Sequence, residues 1–92
     1  MNEKFESVWD AIEEDPAEAE TMKLRSSLMI ALKDYILAEG LTQSQAAKKL
    51  GVTQPRISDL MRGKINLFAI ESLVNMVIRA GLRIKLHVGK AA

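Results

Sequence analysis

The chain of 92 residues has no cysteine, two prolines, one histidine and four aromatic side chains. Without cysteine there is no disulfide framework and no thiolate metal site, which fits a reducing compartment. The one histidine, His87, has no cysteine or carboxylate near it in sequence. An exposed strand position therefore suits it better than a metal site. No glycine-rich phosphate cradle is present, and the acidic residues near the N-terminus lack a partner base. The sequence points away from an enzyme, and no metal or cofactor is expected. No apolar run approaches the roughly 18 residues of a membrane span, and no secretory signal opens the chain. The expectation is a cytoplasmic protein.

The net charge of +1 conceals a division. Residues 1–20 carry eight acids and one lysine, whereas residues 21–92 carry twelve Lys and Arg and four acids. A polyanion should prefer the second part and avoid the first. The acidic start reads either as a solvated helix face or as a surface for a basic partner.

Phe5, Val8, Trp9 and Ile12 have the spacing of one stripe on a short amphipathic helix. Trp9 is then a packing anchor rather than a base stacker. Asp15-Pro16 ends that helix and starts another, with Asp15 as cap and Glu18 three residues on. The second helix runs to about Glu39, with Leu24, Leu28, Ala31, Leu32, Tyr35 and Ile36 as its apolar stripe. Its continuity over residues 16–23 is open, and Gly40 is its stop.

Residues 42–63 read TQSQAAKKLGVTQPRISDLMRG, with two Thr-Gln pairs eleven residues apart. Thr42 and Gln45 form a capping box that opens a short helix, with Ala46, Ala47 and Leu50 inward. Gly51 ends it. Thr53 caps the next, Pro55 sits in its first turn, and Ile57, Leu60 and Met61 face inward. Both threonines are thus explained as caps. Both glutamines fall at the first helical position, pointing outward beside unpaired backbone N–H groups. A long amide there can reach a phosphate or a base edge. Two short helices joined by a glycine turn, with small residues where they meet, match a helix-turn-helix. Lys48 and Lys49 read as solvated.

A further helix carries Ile70, Leu73, Val74, Val77 and Ile78 and ends at Gly81. LRIKLHV then alternates, with Leu82, Ile84, Leu86 and Val88 on one side and Arg83, Lys85 and His87 on the other. That predicts a half-buried strand. No second strand is evident, so the economical partner is another copy across a two-fold axis. A frayed tail is the alternative.

LTQSQAAKKLGVTQPRISDLMRGK resembles the Xre/Cro/C1 helix-turn-helix family of phage-type repressors. Over roughly residues 20–86 the likeness narrows to HigA-type antitoxins and related small transcriptional regulators. The resemblance implies a mainly α, lambda-repressor-like bundle of about five helices, with one C-terminal β-strand paired across a homodimer. The expected parts are an acidic helical extension (1–20), a DNA-binding domain (21–81) and a dimerisation strand and tail (82–92). The implied activity is autorepression at a palindromic double-stranded DNA operator, with a basic toxin as partner. The alternatives are a stand-alone repressor, or an interaction module that neutralises a partner with little DNA role.

The resemblance also suggests roles. Gln43 matches a glutamine that contacts the DNA backbone, and Thr53 and Gln54 match the start of the recognition helix. Ser58 and Asp59 lie on its outward face, and Arg62 and Lys64 match phosphate contacts after it. Pro55 departs from the pattern, because several relatives place a base-reading side chain there. Its burden passes to Gln54 and Arg56, since glutamine pairs bidentately with adenine and arginine with guanine. Asp59 can accept from cytosine, but orientation of Arg56 or Arg62 is favoured, because phosphates repel a carboxylate.

Overall fold

A computed structural model describes residues 15–90. The predicted Phe5–Ile12 helix lies outside them. The described residues form four α-helices and one short 3-10 turn. These are α1 (Pro16–Ala38), α2 (Gln43–Leu50), α3 (Gln54–Met61), the turn Ile65–Leu67, and α4 (Ile70–Arg79).

Helix α1 is continuous, so residues 16–23 belong to it and it crosses the expected boundary at residue 20. Asp15 Oδ1 accepts from the N–H groups of Ala17 and Glu18, and Pro16 occupies the first turn, where it displaces no hydrogen bond. Apolar residues lie on more than one side of this helix. Its buried line is Met29, Leu32 and Ile36, with Leu28 and Tyr35 packed beside it. Leu24 and Ala31, expected inward, are exposed.

The core closes between helices. Helix α1 packs chiefly on α4, and α2 packs on α3 and α4. Ala46, Ala47, Leu50, Ile57 and Leu60 meet Leu32, Leu73, Met76 and Val77 in one buried cluster. The inward line of α4 is Leu73, Met76, Val77 and Ala80, while Ile78 is 60% exposed. That line is rotated from the expected stripe, which counted Ile78 and omitted Met76. Phe68 is only 2% exposed, although it stands in the loop before α4. It joins the buried cluster from a loop, a place that helical periodicity does not point to.

Residues 82–90 differ from expectation. They form no strand and no ladder among the described residues. A β-ladder needs a neighbouring strand, and the described chain offers none. Ile84 and Leu86 do border an apolar groove with Leu24, Leu28, Ile70 and Val74. The tail thus lies over α1 and α4, yet Leu86 and Val88 remain more than 80% exposed.

Candidate nucleic-acid interface

Helices α2 and α3 begin alike, but their caps are not identical. Thr42 Oγ1 accepts from the Gln45 N–H at 3.1 Å, and Gln45 Oε1 accepts from the Thr42 N–H at 2.9 Å. The box is complete. In α3, Thr53 Oγ1 accepts from the Arg56 N–H at 3.3 Å. No reciprocal bond forms there, because an arginine side chain has no acceptor to return. Thr53 is therefore occupied as a cap as well as being a candidate for DNA contact.

Gln43 and Gln54 are the first residues of their helices, and both are exposed. Neither helix has an acidic residue in its first turn, whereas α1 has Glu18 and α4 has Glu71. The partial positive charge of these two helix starts is thus not met by a local carboxylate. Such an end favours an incoming phosphate.

The turn between the helices is built on Gly51, at φ +70°. The Val52 N–H donates to the Ala47 carbonyl at 3.0 Å, closing the end of α2. A Cβ on Gly51 would come within 3.1 Å of the Arg79 side chain, which arrives from the end of α4. Arg79 covers the helix-turn-helix corner, and no sequence signal had pointed to it, since the contact joins residues 28 positions apart.

The expected site residues separate into two groups. Gln43, Gln54, Arg62 and Lys64 are exposed, and Ser58 is half-buried on α3. Arg56 and Asp59 are turned toward the protein's own loop. The Arg56 guanidinium donates to the Leu67 carbonyl at 2.8 Å and stands 4.1 Å from the centre of the Phe68 ring. Asp59 pairs with Lys64 at 3.8 Å rather than with Arg56 or Arg62. Its chain geometry explains the choice: after Gly63 the loop turns back, and the Lys64 N–H donates to the Asp59 carbonyl at 3.0 Å. Lys64 is thereby carried alongside Asp59.

The sequence profile described as a helix-turn-helix domain matches residues 11–89. The chain belongs to the Xre-type helix-turn-helix family. A solved structure described as an XRE family transcriptional regulator is similar to it, with 28% identity and a TM-score of 0.74. The match covers 80% of this chain and 83% of the other. No curated protein matches. No helix among the described residues is long and apolar enough to cross a membrane.

Proposed function

We propose that this helix-turn-helix protein is a homodimeric regulator that binds double-stranded DNA in a sequence-specific way, and that it is the antitoxin and autorepressor of a type II toxin–antitoxin operon. The observation that carries the DNA reading is the pair of acid-free helix starts, each presenting an exposed glutamine, on either side of the Gly51 corner. In this reading α3 enters the major groove. Gln54 reads a base, with Thr53 and Ser58 beside it. Gln43, Arg62 and Lys64 hold phosphates, which set register without reading sequence.

The homodimer is supported by the tail. Leu82, Ile84, Leu86 and Val88 alternate with Arg83, Lys85 and His87, are all at least one-third exposed, and have backbone groups with no ladder in the described chain. A second copy's tail satisfies both needs in an antiparallel pair. Two linked heads then read a palindrome, each raising the effective concentration of the other.

The antitoxin role rests on the HigA-type resemblance and on the acidic residues 1–20, which suit a basic partner. Co-expression of the neighbouring reading frame, with and without this protein, tests it. Rescue of growth by this chain supports the role, and indifference leaves a stand-alone regulator.

Mobility shifts test the DNA reading. Gln54→Ala should cost about 1–3 kcal/mol on the promoter duplex and much less on random DNA. Equal losses on both would remove Gln54 from base reading. Ile84→Pro should abolish self-association and sharply weaken operator binding while helical content holds. A variant that sediments as a tight dimer would put the interface elsewhere.

A further inference from the structure

We propose that Arg56 is a positioning residue that welds the recognition helix to the loop behind it, leaving sequence readout to Gln54. This inference rests on the DNA-binding reading above.

Arg56 is held at both ends. Its backbone N–H donates to Thr53 at the start of α3, through Oγ1 at 3.3 Å and the carbonyl at 3.1 Å. Its guanidinium donates to the Leu67 carbonyl at 2.8 Å and lies over the ring of Phe68. Phe68 is itself fixed in the core. Only a planar guanidinium fits this place, because its face can lie on the ring while its edge aims an N–H at the carbonyl.

A second tie closes the far end of the same loop. Asp59 on α3 holds Lys64 through its backbone carbonyl and, at 3.8 Å, through its carboxylate. The loop from Arg62 to Phe68 is therefore fastened to α3 near both of its ends. The exposed Gln54 and the exposed Arg62 and Lys64 consequently sit on one stiff unit. The spacing between the base-reading residue and the phosphate-holding residues is set before DNA arrives, so less ordering is left for the binding step.

A base-reading Arg56 would have to abandon a charge-assisted hydrogen bond and a ring contact at once. The hydrogen bond is exposed, but the ring beneath the guanidinium is only 2% exposed, so departure of Arg56 would uncover apolar surface as well as break the bond. Gln54 has no such ties, being exposed and lacking any side-chain hydrogen bond within the described residues.

The test uses a duplex selected from a random pool by the wild-type full chain. Arg56→Met keeps a stem over Phe68 but removes the donor and the charge. Measured well below its melting temperature, it should bind that duplex about tenfold more weakly. Its base preferences and its salt slope should match wild type. Arg56→Lys should recover little, since a point charge cannot stack and donate together. Phe68→Leu, which leaves Arg56 intact, should give a loss of the same kind, and the double variant should be no worse than the sum of the two.

Three results would overturn the proposal. A salt slope lowered by about one in Arg56→Met would make the residue a phosphate contact. A preference relaxed at a single base pair would make it a base reader. Undiminished affinity in a variant that melts earlier would leave it a role in stability alone. A wild-type chain that selects no duplex would sink the DNA reading and this proposal with it. In the other three outcomes wild-type DNA binding stands, so the two failures are distinct.

Discussion

The helix-turn-helix corner and the C-terminal tail both announce a buried face in their residue patterns, but only one of them buries it within the described chain. In residues 42–61 the inward positions Ala46, Ala47, Leu50, Ile57 and Leu60 are all at most 7% exposed. In residues 82–88 the alternating positions range from 36% to 84% exposed. The difference is one of partners. The corner meets α1 and α4, which carry matching apolar lines. The tail meets the same two helices along one edge and has no strand beside it. A residue pattern specifies which face wants burial, and the supply of a partner decides whether it is buried.

Perturbations of the two regions should separate them, and the largest effect belongs to the corner. Leu50, at 1% exposure, lies where α2, α3 and α4 meet. Leu50→Ala should destabilise by about 2–5 kcal/mol, read from urea midpoints. A loss under about 1 kcal/mol would mean that the site collapses around the smaller side chain and that the corner is loosely closed.

Gly51→Ala comes next. It forces a side chain into the left-handed region and against Arg79 at 3.1 Å. The expected cost is about 1–2 kcal/mol. Arg79→Ala should relieve the crowding but not the backbone strain, so the pair of substitutions should be less than additive. Full additivity would separate Arg79 from the corner.

Thr42→Ala and Thr53→Ala sharpen the comparison inside the corner. Each removes a cap worth about 1 kcal/mol. Thr42 should cost more, because its box with Gln45 is reciprocal, while the Thr53 cap has one bond. Thermal melts of the two single variants give the order, and the reverse order would deny the box any energetic role.

The smallest effect on the folded monomer belongs to the tail. Leu86→Ala should change stability at low protein concentration by less than about 0.5 kcal/mol, since the side chain is 83% exposed. The same variant should lower the melting temperature at high concentration if a second copy covers the tail. A large loss at every concentration would mean that the tail is buried within its own chain.

Much of the corner was legible in sequence. Thr42, Gln45, Thr53 and Pro55 are local signals, and a cap is decided by the few residues around it. The same holds for Gly40, Gly51 and Gly81 as stops after helices. The helix starts bearing Gln43 and Gln54 followed from those caps. Arg56 was legible as a charged residue near the start of the recognition helix, yet its partner was not. The Leu67 carbonyl and the Phe68 ring reach it only after the chain has turned back through Gly63. Asp59 shows the same limit: the sequence offered Arg56 and Arg62 as neighbours on the helix, and the loop delivered Lys64.

What the sequence determined by itself is the starts and stops of the two short helices from Thr42 to Gly63 and the identity of the corner between them, because capping, helix propensity and the missing N–H of proline act within one or two turns. What only the tertiary structure decided is which apolar line faces inward and which charges are spent. Met29 and Met76 rather than Leu24 and Ile78 are buried, Phe68 is buried from a loop, Arg56 is tied to that loop, and the Arg79 side chain lies over Gly51. Each of those outcomes depends on atoms from two distant segments arriving at the same place. Helical periodicity carries no information about that meeting.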